Sequence, residues 1–130
     1  MLARPTPDPC EGVEAPAESF LTPQRREALA ARFAAASSSA SWEALEPLFD
    51  RRIAAWAQQR REACEATRVH GTQSDEGLDL RMQCLDRRSD ELEVLLRTYD
   101  TLEPGGSWRA LQAFDRLPSP EVCAEQPCTT

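Results

Sequence analysis

Two long apolar stripes separated by a short break constrain this chain more than any other feature. In the first, Trp42, Leu45, Phe49, Ile53, Trp56, Ala63 and Cys64 recur every three or four residues over roughly 42–69. In the second, Leu78, Met82, Leu85, Leu92, Leu95, Leu96, Tyr99 and Leu102 do the same over 75–102. That spacing places each set on one face of an α-helix. The break at 70–74 is too short for anything but an antiparallel return, so the stripes predict a helical hairpin. Pro47 interrupts the first stripe and is expected either to kink the helix or to open a new one. Ser41 is a candidate cap for it. The sequence His70-Gly71 ends it, because glycine readily takes the left-handed position after a helix. Ser74 is the expected cap of the second long helix, with Asp75 and Glu76 in the first turn, where the helix dipole favours carboxylates. Ser89 lies on the second stripe and weakens it by one turn.

Two shorter helices flank the hairpin. Thr22 and Pro23 suit the cap and first position of a helix over 23–36, with Leu29, Phe33 and Ala36 inward. Pro104-Gly105-Gly106 stops the second long helix, and Ser107 is the expected cap of a short one over 108–116, with Trp108, Leu111 and Phe114 inward. Nothing alternates with period two, so no strand is expected. Prolines crowd both ends: Pro5, Pro7, Pro9 and Pro16 on one side, Pro118, Pro120 and Pro127 on the other. The expected organisation is an irregular arm over 1–21, a helical bundle over 22–117 and an irregular Cys/Pro tail over 118–130. The fold class is all-α. The expected core is Leu29, Phe33, Leu45, Phe49, Ile53, Trp56, Leu78, Met82, Leu85, Leu92, Leu96, Tyr99, Leu111 and Phe114.

At 130 residues the chain fits one domain. Aromatics make up only 6% of it, so a few large side chains must carry a thin core. The net charge of −7 disfavours a duplex nucleic-acid binder and an anionic membrane surface. All 15 basic residues are arginine, and lysine and asparagine are absent, a codon bias that fits a GC-rich bacterial genome. No segment has the ~20 apolar residues needed to span a bilayer, so membrane insertion by this chain is not expected. Residues 1–9 carry no apolar core of a secretory signal, which points to the cytoplasm if the chain is complete as given.

No catalytic signature is present: no phosphate-cradling glycine loop, no nucleophile elbow, no paired-histidine metal motif. A hydrolase or metal enzyme is the least favoured reading, and neither a metal nor a cofactor is expected. The single histidine, His70, sits at a helix end, where a capping role is the simpler account. The many carboxylates stand three or four residues from arginines, as Glu65 does from Arg61 and Asp90 from Arg87. These are solvated helix-face pairs.

The five cysteines, Cys10, Cys64, Cys84, Cys123 and Cys128, do not fit zinc spacing, since only Cys123 and Cys128 lie close in sequence. Disulfides are the better reading. Cys64 and Cys84 lie on opposite sides of the hairpin turn and are expected to bridge, provided the second long helix starts late, near Leu78, after an irregular 70–77 loop. Cys10 is then left for Cys123 or Cys128, with one cysteine over.

The stretch from Trp56 through Cys64-Glu-Ala-Thr67, Gly71-Thr-Gln73-Ser74 and Leu78-Asp-Leu-Arg81-Met82-Gln-Cys84-Leu85 follows the pattern W-x7-C-x-A-T, G-x-Q-S, L-D-x-R-M-x-C-L. It resembles a segment of large bacterial serine/threonine protein kinases that also carry tetratricopeptide repeats. There the segment follows the kinase domain and a membrane-spanning helix and precedes the repeats. Pro9-Cys10 resembles its beginning, and Leu117-Pro118 with Cys123 its end; Cys128 has no place in the pattern. None of the kinase residues is present, so kinase activity does not carry over. The resemblance implies a non-catalytic sensor or protein-interaction segment, lying outside the cytoplasm, with a protein partner. The alternative is a free-standing helical interaction protein of signalling type without a membrane partner. Residue by residue, Thr67, His70, Gly71, Gln73 and Ser74 are read as a structural turn: Thr67 and Ser74 satisfy the backbone at two helix ends, and Gln73 bridges them.

Overall fold

A computed structural model describes residues 7–36 and 38–128, with side chains described to residue 125. The described residues are helical and contain no strand. Four α-helices follow in order: α1 (Pro23–Ala35), α2 (Ser39–Arg68), α3 (Asp75–Tyr99) and α4 (Ser107–Asp115). The two arms add 3-10 helices, Ala15–Ser19 and Pro120–Cys128. Helices α2 and α3 pack against each other as the antiparallel hairpin, α1 lies on α2, and α4 rests on both long helices.

The start signals read from the sequence act as expected for α1 and α3. The Thr22 hydroxyl accepts the amide of Arg25, and the Ser74 hydroxyl accepts that of Gly77. Each satisfies one of the orphan donors of a first turn. Helix α2 begins earlier than its apolar stripe, at Ser39, so Ser41 lies inside it rather than capping it. Pro47 falls within α2 and neither ends it nor starts a new one. It gives up one ladder hydrogen bond, which the packed helix tolerates because neighbouring turns remain bonded.

The core forms where the stripes meet. Leu29, Phe33, Leu45, Phe49, Leu85 and Leu96 are fully buried, and so is almost all of Trp56 and Tyr99. Aromatic rings tie the four helices together. Phe33 of α1 contacts Trp42 of α2 and stands edge-on to Tyr99 of α3; Phe49 of α2 meets both Tyr99 and Phe114 of α4. Such edge-to-face pairs add to the burial of area. Of the expected core, Met82 and Leu111 are only half-buried. Trp108 corrects a sequence expectation more sharply: it is 67% exposed. In α4 the inward face is Ala110 and Phe114, four residues apart, and Trp108 is off that line.

Two polar side chains in the core find backbone partners. The Trp56 indole Nε1 donates to the carbonyl of Leu85 at 2.7 Å, and the Tyr99 hydroxyl donates to that of Ala110 at 2.7 Å. The first sets the level at which α2 lies on α3; the second holds α4 to the end of α3.

The arms pack differently from each other. On the C-terminal side, Pro120 and Cys123 are fully buried and the 3-10 helix lies against both α2 and α3. Arg52 donates to the carbonyls of Leu117 and Pro118 while its guanidinium stacks on Phe114. On the N-terminal side, Phe20 and Leu21 join the core, with Phe20 edge-on to Trp56. From residue 7 to 19, only Cys10 is buried.

Two outcomes follow for stability. Trp56→Ala removes a buried aromatic together with its hydrogen bond and is expected to cost about 3–5 kcal/mol, read as a drop in the urea midpoint; a melting temperature within a degree or two of the parent would place Trp56 at the surface instead. Burial raises the Tyr99 hydroxyl pKa above its ordinary value of 10.0. The folded chain therefore keeps this proton where the unfolded chain loses it, and the stability linked to it is complete below pH ~10 and lost as pH rises beyond. The melting temperature is expected to fall above pH ~10, and Tyr99→Phe to flatten that fall.

Candidate functional site: the hairpin turn and its disulfides

The sequence motif folds into one end of the hairpin. Helix α2 stops at Arg68, and Gly71 takes a φ of +65°, the left-handed geometry expected of it. The chain then turns back to Ser74 and α3. Across this turn the Thr67 hydroxyl donates to the Ser74 carbonyl at 3.2 Å. The Gln73 amide Nε2 donates to the Ala63 carbonyl at 2.9 Å and to the Thr67 hydroxyl at 2.8 Å. Thr67, Gln73 and Ser74 thus close the turn together: Gln73 satisfies a carbonyl at the end of α2, Thr67 reaches the Ser74 carbonyl, and Ser74 caps α3. His70 takes part only through its backbone, whose amide donates to the Glu65 carbonyl at 2.8 Å, and its residue is exposed.

Arg81 completes the arrangement, and sequence reasoning assigned it no role beyond its place in the motif. It is a buried arginine whose Nη1 donates to Gln73 Oε1 at 3.1 Å and whose Nη2 reaches Gln59 Oε1 at 3.4 Å. Both acceptors are neutral amides. Its Nε has no partner. Burial disfavours the charged guanidinium and lowers its pKa from the ordinary arginine value, with the charge of Glu62 opposing the effect. Gln59 in turn donates to Glu62. The chain Glu62–Gln59–Arg81–Gln73–Thr67 is therefore a polar bracket that spans α2, the turn and α3. Gly77 fits beneath it, since a Cβ there would stand 3.0 Å from the Gln73 side chain. A signal for Arg81 existed in the sequence, because an arginine three residues after Leu78 shares the buried face of α3. A charge on that face demands partners.

The cysteine pairing differs from the sequence expectation. Cys10 bonds Cys64 and Cys84 bonds Cys123, with Cα separations of 5.9 and 5.5 Å. Cys64 and Cys84 do not bridge. The expected bridge required α3 to start near Leu78, whereas Ser74 caps it at Asp75. The register is the decisive reason. Trp56 meets Leu85 and Gln59 meets Arg81, so Cys84 lies level with the Trp56 turn. Cys64 is then about two turns further along α2, roughly 12 Å at the helical rise, beyond bridging reach. Cys10, bonded to Cys64, is a partner of neither Cys123 nor Cys128, and the side chain of Cys128 lies outside the described residues.

Each disulfide fastens one arm to one helix of the hairpin. The loops they close span 54 and 39 residues, for which the chain-entropy account gives stabilisation of about 4 kcal/mol each. Bridges of this kind persist in oxidising compartments, and the pair points to an extracytoplasmic environment. Among the described residues, no helix is long and apolar enough to cross a membrane. Also among them, no group of three or more His, Cys, Asp or Glu is placed to hold a metal ion.

Ion pairs dress the surface around this site. Arg61 contacts Asp8, Glu14 and Glu65, and Arg60 contacts Asp86. Arg88 pairs with Glu91, each one residue beyond Arg87 and Asp90, the pair expected from the sequence. A shallow groove of about 280 Å³ opens at the opposite end of the bundle between the end of α3 and α4, lined by Leu95, Tyr99, Leu102, Ala110 and Ala113 with Arg109 at its rim.

No protein family, curated protein or solved structure matches this chain.

The polar bracket yields a test. Gln73→Ala strands the Arg81 guanidinium and the Ala63 carbonyl, and is expected to cost about 2–3 kcal/mol. Arg81→Met removes the buried charge itself, so the double variant is expected to be more stable than the sum of the two single losses. Urea unfolding of the four-member cycle measures this, and strict additivity would show that the two side chains do not act together.

Proposed function

We propose that this chain is a non-catalytic sensor or protein-interaction segment, related to the extracytoplasmic region that joins bacterial receptor serine/threonine kinases to their tetratricopeptide repeats. One observation carries the reading. Trp56, Cys64, Thr67, Gly71, Gln73, Ser74, Arg81, Cys84 and Leu85, nine of the thirteen residues of the resembled pattern, converge on a single seam and turn, while Asp79 of the same pattern is exposed. Each of the nine has a structural task there: a hydrogen bond across the hairpin, a helix end, a left-handed turn or a bridge to an arm. A pattern of that kind is the signature of a fold. A catalytic site would instead spend its distinctive residues on groups aimed at a substrate.

The two disulfides support placement in the periplasm or at the cell surface. The net charge of −7 favours a protein partner over nucleic acid. The supporting experiment has two arms. Living cells of the source bacterium are treated with a maleimide before lysis, and Cys10, Cys64, Cys84 and Cys123 are expected to remain unlabelled until the sample is reduced. Free thiols at these positions in the cell would overturn the extracytoplasmic placement. Sequencing of the flanking DNA is expected to reveal a kinase domain and a membrane-spanning helix in frame upstream. Their absence would leave the free-standing interaction protein as the reading.

A further inference from the structure

The two disulfides fasten their arms in unequal ways. The C-terminal arm is held by its bridge and by the core as well: Cys123 and Pro120 are fully buried, and Arg52 binds the carbonyls of Leu117 and Pro118. Loss of Cys84–Cys123 would leave those contacts in place. Between residues 7 and 19 of the N-terminal arm, Cys10 alone is fully buried; Val13, Glu14 and Ala17 are half-buried, and Ala17 packs against the edge of the core. Apart from that one small side chain, the arm's contacts with α2 are polar: Arg61 with Asp8 and Glu14, and Arg60 Nε donating to the Val13 carbonyl at 2.7 Å. Exposed ion pairs of this type hold a segment weakly. The covalent bond is therefore the principal restraint on it.

Access differs in the same sense. Cys64 is 7% exposed, whereas Cys10 and Cys84 are 1% and Cys123 is 0% exposed. A thiolate must reach a sulfur in line with the bond it breaks, and Cys64 is the least covered of the four bridged cysteines. The strap also has a built-in limit. Phe20 and Leu21 are core residues, and their carbonyls accept from Arg25 and Arg26. Release of the arm would stop at Ser19.

We propose that Cys10–Cys64 is a redox latch: a dithiol reductant opens it while Cys84–Cys123 and the helical bundle stay intact, freeing residues 8–19 from α2 as an acidic strap. The thiolate of the reductant attacks Cys64 Sγ and the Cys10 thiolate leaves, taking up a proton. The second thiol of the reductant then attacks the mixed disulfide and the Cys64 thiolate leaves. Two electrons pass to the protein, the reductant becomes a disulfide, and two cysteine thiols result. The strap carries Asp8, Glu11, Glu14 and Glu18 and no cation. Its departure uncovers Arg60 and Arg61, one face of α2 that the strap masks in the oxidised form. The device stands on the two bridges and the burial of the arms, and does not depend on the kinase relationship.

Dithiothreitol titration of the folded, oxidised chain tests this. Samples are quenched with N-ethylmaleimide and the labelled cysteines mapped by mass spectrometry. Cys10 and Cys64 are expected to label at about tenfold lower reductant than Cys84 and Cys123. At that point helical circular dichroism is unchanged, and cleavage by a glutamate-specific protease at Glu11, Glu14 and Glu18 rises by about tenfold. The double variant Cys10→Ser/Cys64→Ser is expected to be helical and to show the same cleavage without reductant. Simultaneous reduction of both bridges with loss of helix would overturn the proposal. So would a double variant that keeps the arm protected, or one that does not fold.

Discussion

The level at which α2 lies on α3 governs the rest of this molecule. It is fixed by the Trp56 indole, whose bulk fills the seam and whose Nε1 binds the Leu85 carbonyl, and by the Gln59–Arg81–Gln73 contacts one to two turns nearer the hairpin end. A helix can slide on its neighbour in steps of a turn at modest cost when the stripe is aliphatic. Buried side-chain hydrogen bonds restrict that freedom, since sliding α3 by a turn takes Trp56 off the Leu85 carbonyl and the Arg81 guanidinium away from the Gln59 amide. Once the register is set, Cys64 and Cys84 stand about two turns apart, and each must look elsewhere for a partner. The arms are near, and they supply Cys10 and Cys123.

This division of bridges suits a chain whose core is thin. Only 6% of the residues are aromatic, and the buried rings are concentrated in two groups: Phe20 with Trp56, and the Trp42–Phe33–Tyr99–Phe49–Phe114 chain. Chains of this length bury a smaller fraction of their surface than longer ones and have less stability in reserve. A bridge from each arm to a different long helix constrains the unfolded ensemble across most of the sequence. The two arms exploit it differently, because one is buried beside its bridge, at Pro120 and Cys123, and the other reaches the core at Phe20 and Leu21 and is mainly acidic around its bridge.

Much of the architecture was legible. The apolar period of three and four gave α2 and α3 and their burial faces, Thr22 and Ser74 gave two helix starts, and Gly71 gave the left-handed turn. The turn network was legible too, because Thr67, Gln73 and Ser74 are short polar residues beside helix ends, where unpaired backbone is certain to exist. Arg81 escaped this reasoning. Its position on the buried face was visible, but its acceptors lie 8 and 22 residues away, and only the fold brings them together. Trp108 was misplaced because a nine-residue helix leaves its inward direction to be chosen by packing. Phe114 and the Tyr99–Ala110 hydrogen bond made that choice.

The sequence by itself determined the class of fold, the hairpin, most of the core and the chemistry of the turn, because these rest on local period, capping and backbone satisfaction within a few residues. Tertiary structure alone decided the disulfide pairing. Sequence separation favoured the two cysteines nearest the turn, but a covalent bridge is governed by distance in space, and distance is set by the register of one helix on another. A side chain in the middle of α2 and a carbonyl in the middle of α3, 29 residues apart, fix that register. It left Cys64 facing the N-terminal arm and Cys84 facing the C-terminal one.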